Sequence, residues 1–426
     1  MTESPDRTEA SPNTRFAVLA FLCASAAIAY VQRAALSVPA AEIAGDLAFA
    51  DLARDMGYVQ SAWYFAYALM QIPSGRLADR LGSRRALAIF SITWSLATFA
   101  AAFASGFWSL VVLWALMGAA QAGAFPCAAK ALGQIFPETQ RARATGLLAS
   151  GMMIGGAVAP VLTAGFLESL VPFSAQSGLD RWRTLLMIYA LPGVAWAIAF
   201  LAFIPANALS AGSGSSKKAS AIPWSRLLSD RSVALLCGQQ FFRAAGMVFF
   251  LTWFPTFLQK TRGVDLLSSG ILTTVAGIGG VVGSLCGGFF SDKLYQRTNN
   301  ARLSRQGIAI AGMSACAMLI VASYFASDVN TSIGLVSLGA FCASFGGVSG
   351  YTVAISYGGR HVATVFSTMN MCGNFGAALF PVTAGRLVAV TGNWNLILFL
   401  FAGIMAIDAV CWALLNPQGT FLGDER

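Results

Sequence analysis

A short charged loop occurs twice in this chain, at corresponding places in its two halves. The first occupies residues 75–85 (GRLADRLGSRR) and the second residues 288–293 (GFFSDK). Each has a glycine, an aspartate four residues later and a neighbouring base. The two aspartates, Asp79 and Asp292, are separated by half of the 426-residue length. Because long apolar stretches flank both loops, the repeat predicts a duplicated membrane bundle.

The composition supports a membrane protein and excludes several other classes. Hydrophobic residues make up 57% and charged residues 11%, too few charges to cover a water-soluble protein of this size. The net charge of +9 comes from bases in short loops, which does not indicate nucleic-acid binding. The eight cysteines fall in or beside apolar runs, which favours buried thiols over disulfides or a metal centre. No phosphate-binding loop or catalytic cluster is visible, so we expect neither a cofactor nor an enzyme.

Twelve apolar runs are long enough to cross a bilayer as helices. A Gly/Ser/Lys-rich segment between the sixth and seventh runs is typical of a flexible linker. The sequence therefore predicts an all-α polytopic membrane protein with three parts. These are an N-terminal six-helix bundle (1–205), a linker (206–231) and a C-terminal six-helix bundle (232–426). The runs centre near Ser25, Tyr67, Leu96, Met117, Ile154, Val194, Phe249, Ile278, Met318, Phe341, Phe375 and Ile404.

The distribution of lysine and arginine predicts the orientation. Most of them fall in loops on the side of the linker and the termini, whereas the first loop on the opposite side is acidic. Basic loops stay in the cytoplasm, so we expect both termini there. The first run lacks a clear cleavage site and contains an arginine, which indicates a retained helix. We expect a multi-pass protein of the plasma membrane, the inner membrane in a bacterium.

Two arginines lie deep inside predicted helices. Arg33 is in the first helix and Arg243 in the seventh, and Asp408 in the twelfth is the only comparably embedded acid. A charge in a membrane helix is costly and usually faces a cavity or a partner. With so few embedded acids, the pattern predicts an anionic ligand. A structural alternative for Arg243 is pairing with the backbone or with Gln239 and Gln240.

The repeated loop and the six-plus-six layout resemble the major facilitator superfamily over essentially the whole chain. Several stretches are similar to its organic-anion branch, the anion:cation symporters. They are residues 30–37 (YVQRAALS), 67–73 (YALMQIP), 125–126 and 136–137 (both FP), 252–258 (TWFPTFL) and 370–374 (NMCGN).

The resemblance implies roles for individual residues. Arg33 matches the substrate-anchoring arginine of the branch, Tyr67 a cavity tyrosine, and Asn370 with Asn374 polar residues of the eleventh helix. We expect a substrate site between the bundles formed by Arg33, Tyr67, Gln121, Arg243, Asn370, Asn374, Gln32 and Tyr30. The repeated loops are expected to form a gate through Gly75, Asp79, Arg80, Arg84, Asp292 and Lys293.

The chain differs from the branch at the positions whose acids usually bind the transported proton. Gln32 and Gln121 stand where the branch often has acids, and Trp114 replaces an arginine. An amide does not titrate, so we expect transport without proton coupling. The arginine in the seventh helix is a second departure, since a pair of arginines resembles the organophosphate:phosphate antiporters.

Together these features predict a secondary active or facilitative transporter of a small organic anion, such as a sugar acid or another carboxylate. We expect it to work as a monomer in the lipid bilayer by alternating access. Two alternatives stay open. One is an anion exchanger of the organophosphate/phosphate type, and the other is a membrane sensor built on a transporter fold.

Overall fold

The structure, a computed structural model, describes residues 12–136, 138–209, 224–358 and 362–421. Within these ranges the regular structure is helical and no strand is present. We number the twelve long helices in chain order. They are α1 (Pro12–Arg33), α2 (Leu52–Leu81), α3 (Ser83–Ala101), α4 (Phe107–Ile135), α5 (Glu138–Ser169), α6 (Arg181–Phe203), α7 (Arg231–Thr252), α8 (Leu266–Thr298), α9 (Arg302–Phe325), α10 (Val329–Gly358), α11 (Val362–Thr391) and α12 (Leu396–Leu414).

Nine of these helices, counted in the described residues, are both long and apolar enough to cross a membrane. The other three are α2, α3 and α11, which have 30, 19 and 30 residues and pack inside the same bundles. Polar residues such as Asp55, Gln60 and Gln71 lower the hydropathy of α2. All twelve predicted centres fall within the helices of the structure, so the predicted all-α fold of twelve spans is confirmed.

The packing of the helices repeats between the two halves. In the N-terminal half, α1 packs on α5, α2 on α4, and α3 on α6. In the C-terminal half, α7 packs on α11, α8 on α10, and α9 on α12. Small residues permit the close approaches: a Cβ at Gly155 of α5 would lie 2.6 Å from the carbonyl oxygen of Ala27 in α1. The duplication that the repeated charged segments indicate is therefore also present in the helix packing.

The two halves meet along α2 with α11 and along α5 with α8. We call the side where α6 ends and α7 begins the linker side, and the opposite side the far side. Among the described residues, every hydrogen bond between the halves lies in the far part of the helices or beyond it. These bonds join Gln60 to Thr252, Val161 to Thr274, Thr256 to Ser37, Gln259 to Val38, Val382 to Ser61, and Arg386 to Tyr58. These hydrogen bonds therefore hold the two halves together on the far side.

Ion pairs tie the far-side loops of the N-terminal half. Glu42, in the short helix Ala40–Asp46, pairs with Arg181 at the start of α6. Arg183 pairs with Asp46 at 2.6 Å and also donates to the carbonyl oxygens of Ala102 and Ala104. The acidic first loop thus packs against the basic beginning of α6.

Candidate substrate-binding site

A cavity of about 50 Å³ lies within the N-terminal half and is lined by residues of α1 to α5. Four of the predicted site residues line it: Tyr30, Arg33, Tyr67 and Gln121. Most of the remaining wall is apolar and includes Leu22, Leu148 and Met152. This lining, apolar with a few convergent polar groups, is typical of a small-molecule site, but about 50 Å³ is well below the roughly 300 Å³ of a complete ligand pocket.

Arg33 is the only cation in the wall of this cavity. Its guanidinium carbon lies 4.1 Å from the ring centre of Trp63, 4.3 Å from that of Tyr64 and 5.2 Å from that of Tyr30. Its Nε is buried and makes no hydrogen bond. Within the described part of the chain, no carboxylate lies within 4 Å of it. Aromatic faces stabilise a cation without neutralising its charge, so Arg33 retains the ability to bind an anion.

Local structure explains the position of these groups. Arg33 is the last residue of α1, where the helix dipole favours a positive side chain. Trp63 and Tyr67 are one turn apart on α2, and their rings stack at 4.9 Å. The aromatic face of α2 therefore meets the end of α1 and places Arg33 against it.

The two glutamines differ in placement. Gln121 ends the first segment of α4, which breaks before resuming at Ala124, and its side-chain amide donates to the carbonyl of Ala29 at 3.2 Å. Gln32 is buried, donates to the carbonyl of Tyr189 in α6, and is not among the residues that line the cavity. The structure thus brings Gln121 to Arg33 and joins Gln32 to a neighbouring helix.

Arg243 lies in a polar cluster of the C-terminal half. Its guanidinium donates to the Gln240 side-chain oxygen at 2.8 Å and to the Tyr351 hydroxyl at 3.0 Å. No carboxylate of the described residues lies within 4 Å of the Arg243 guanidinium. The bond to Gln240 is the structural alternative that the sequence left open, but both partners are neutral, so the positive charge remains.

The two predicted asparagines of α11 are half-buried and one turn apart. The Asn374 side chain donates to the Asn370 backbone carbonyl at 2.9 Å. Neither lines the cavity around Arg33. Gln240 and Gly373 pack against each other where α7 meets α11, so the asparagine-bearing stretch of α11 adjoins the helix that carries Arg243.

The predicted gate residues lie near the linker-side ends of helices. The prediction that the repeated segments are loops is wrong, because residues 75–81 belong to α2 and residues 288–293 to α8. Arg84 donates to the carbonyls of Leu201 and Ile204 at the end of α6. Asp292 pairs with Arg305 at 2.6 Å, and Lys293 lies over the ring of Phe289. Gly75 has no atom near its missing Cβ, and Arg80 is exposed. The side chain of Asp79 lies outside the described residues.

Asp408 is the one embedded acid that the sequence singled out. It is 0% exposed, and both carboxylate oxygens are buried without a hydrogen-bond partner. No group of three or more His, Cys, Asp or Glu side chains that could hold a metal ion occurs in the described ranges.

Three contributors to these clusters were not predicted from the sequence: Trp63, Tyr64 and Tyr351. The first two belong to an aromatic series on α2 that ends at Tyr67, and its helical spacing is a usable signal. Nothing comparable marks Tyr351, because its role depends on the contact between α7 and α10.

The fold is that of a polytopic helical membrane protein with an arginine-lined cavity in its interior. The family model of the Major Facilitator Superfamily matches residues 22–346. This chain belongs to the Major Facilitator Superfamily and is a membrane transporter.

Individual relatives are similar along nearly the whole chain. A probable sulfoacetate transporter of Cupriavidus necator is 28% identical over 95% of this chain and 94% of its own length. The hexuronate transporter of Bacillus subtilis is 29% identical over 92% of both chains. Among solved structures, an inward-facing, unoccupied bacterial homologue of the human lysosomal transporter Spinster matches with a TM-score of 0.77. It covers 95% of both chains at 18% identity, which supports the fold.

Proposed function

We propose that this transporter moves a small organic anion, a sugar acid or another carboxylate, and that Arg33 binds its anionic group. One observation carries the proposal: the Arg33 guanidinium lines an interior cavity and is surrounded by aromatic rings instead of carboxylates. An uncompensated charge inside a membrane protein needs a partner. The names of the relatives, which describe hexuronate and sulfoacetate transporters, agree with an acidic substrate.

The mechanism follows from the arrangement of the halves. The substrate enters between them, meets Arg33, Tyr30, Tyr67 and Gln121 on one side, and is approached by Arg243 and the asparagines of α11 on the other. The halves then rock about the site. The hydrogen bonds on the far side stabilise the state closed there, and the linker-side parts of α2 and α8, which carry Asp79 and Asp292, stabilise the opposite state.

Several features of the setting belong to the same proposal. The chain acts as a monomer in a bacterial inner membrane, with both termini and the linker in the cytoplasm. The basic connection between α2 and α3 supports this orientation.

Uptake into proteoliposomes tests the substrate anchor. A planar guanidinium binds a carboxylate through two hydrogen bonds, whereas a lysine provides a single point charge. Arg33→Lys is therefore expected to lower uptake of labelled hexuronates or short carboxylates by about tenfold or more. Arg297→Lys, at an exposed linker-side position, serves as the matched control. Near wild-type uptake by Arg33→Ala would show that Arg33 does not bind the substrate.

Phosphate-ester exchange is the second candidate, favoured by Arg243, whose hydrogen-bond partners Gln240 and Tyr351 are both neutral. Proteoliposomes loaded with phosphate would then take up a labelled phosphate ester by counterflow, and Arg243→Gln would abolish it. Binding of an anion without any counterflow would instead indicate a sensor.

A further inference from the structure

A groove of about 960 Å³ runs along the outer surface where the two halves meet. Residues of α2, α4 and α11, together with the loop before α2, form its walls. On α2 the lining extends from Arg54 to Leu69. At 1.5 Å per residue this is roughly 22 Å, compared with roughly 15 Å for the hydrocarbon of one leaflet. The groove is therefore long enough for an acyl chain and part of a headgroup.

The walls of the groove are apolar and exposed. Trp108 is 74% exposed, and Phe65, Leu69 and Leu379 are each about half exposed. Exposed apolar side chains on a membrane-spanning surface face lipid. Alanines such as Ala62 and Ala66 also line the groove, and their small side chains take up little of its volume.

The far-side end of the groove is lined by the polar residues Arg54, Asp55 and Tyr58, and a further cation, Arg386, adjoins it. Arg386 is exposed and donates from Nε to the hydroxyl of Tyr58, a lining residue, at 2.8 Å. No carboxylate of the described residues lies within 4 Å of it. The nearby acids are already occupied: Asp55 accepts from Arg54 and from the Asp51 backbone, and Asp51 accepts from the Arg54 backbone. Arg386 is thus available to a phosphate.

We propose that this groove binds one anionic glycerophospholipid, with an acyl chain between α2, α4 and α11 and the headgroup phosphate on Arg386. Because α2 and α11 belong to different halves, the bound lipid bridges them. Separation of the halves on the far side would destroy the groove, so the lipid binds the closed state more tightly and stabilises it. Charge complementarity and the length of the groove favour this ligand over a protein helix.

Thermal unfolding of the purified full chain tests the binding. Mixed micelles containing phosphatidylglycerol are compared with micelles of phosphatidylcholine that has the same acyl chains. We expect phosphatidylglycerol to raise the unfolding midpoint further. Arg386→Gln is expected to weaken the apparent affinity about fivefold, the usual contribution of one basic residue near an anionic lipid. Arg297→Gln, at an exposed arginine on the linker side, is expected to behave like wild type.

Two further arms separate the possible outcomes. Ala62→Phe fills the groove and is expected to remove the preference for phosphatidylglycerol; if that variant does not fold, the Arg386→Gln arm decides. Soluble glycerol phosphate is expected to have no effect, because it has no acyl chain. Equal stabilisation by the two lipids, an unchanged preference in Arg386→Gln, or full stabilisation by glycerol phosphate would each overturn the proposal.

The effect of the lipid on the state closed at the far side is measured separately, by cysteine labelling. A single cysteine introduced at the far-side end of α11, in a cysteine-depleted background, is labelled from the far side in liposomes of each lipid. Phosphatidylglycerol is expected to slow the labelling of wild type but not of Arg386→Gln. Equal labelling rates in the two lipids would show that the lipid does not stabilise the closed state.

Discussion

The charged residues embedded in the helices have two different environments. Arg33 and Arg243 are only partly buried and contact aromatic rings, hydroxyls and an amide. Asp408 is fully buried and has no hydrogen-bond donor. An ionised carboxylate without a partner is very costly inside a membrane protein. The arginines therefore keep neutral partners and a charge available to a ligand, whereas no hydrogen bond supports the Asp408 carboxyl.

This difference predicts a tolerant position at Asp408. Asp408→Asn keeps the shape of the side chain and breaks no hydrogen bond, so uptake and thermal stability should stay close to wild type. An imposed inward proton gradient, at clamped membrane potential, should not concentrate the substrate in either protein. Accumulation that a protonophore abolishes, and that Asp408→Asn loses while still folding, would make Asp408 a proton-coupling residue.

At the scale of single elements, two far-side aspartates begin long helices. Asp265 accepts from the Ser268 backbone N–H at 2.6 Å at the start of α8, and Asp328 accepts from that of Thr331 at 2.8 Å at the start of α10. These hydrogen bonds to the charged form hold the pKa of each carboxyl below its ordinary value. The positions are equivalent in the two packed helices, α8 and α10.

A pH dependence of stability follows from these caps. A carboxyl with a lowered pKa in the folded state stabilises the fold above its unfolded pKa of about 4 and loses this effect as the pH falls through the folded value. Asp265→Ala and Asp328→Ala should therefore lower the unfolding temperature at pH 7, with the deficit shrinking in acid. Asn also caps helices but does not titrate. The Asp→Asn variants should keep most of the stability at pH 7; a pH-independent deficit in the alanine variants would contradict the electrostatic account.

At the scale of the whole molecule, the closed far side depends on backbone contact between the halves. A Cβ at Gly57 of α2 would lie 2.6 Å from the carbonyl oxygen of Pro381 in α11. Gly75, near the other end of the same helix, has open space around it. If the halves rock, Gly75 should come into close contact only when the linker side shuts.

Two substitutions on one helix should therefore shift the equilibrium in opposite directions. Gly57→Val is expected to prevent closure on the far side and so to raise far-side cysteine labelling. Gly75→Val is expected to hinder closure on the linker side and so to lower far-side cysteine labelling. Both should slow transport. Gly403→Val, on α12 with no atom near its Cβ, is the control. Shifts in the same direction for Gly57→Val and Gly75→Val would rule out a rocking motion between these contacts.

Much of the fold was predictable because a bilayer restricts the choices. Backbone groups in lipid must be satisfied within each helix, so each long apolar run had to become a helix, and all twelve did. The embedded position of Arg33 was readable for the same reason. The domain limits at 205 and 231 and the cytoplasmic orientation stay predictions, as do the gate and substrate roles of individual residues.

The sequence by itself determined how many helices there are, that they form two related halves, and which charges lie inside them. Only the tertiary structure decided which faces meet. Gln32 and Arg33 are neighbours in the chain, but successive helical residues point about 100° apart, so Arg33 meets α2 while Gln32 bonds to α6. The contacts of Arg33 with Trp63 and Tyr64, the contact of Arg243 with Tyr351, and the lipid groove all join distant segments. Such contacts depend on how whole helices pack, a property that no local pattern of residues contains.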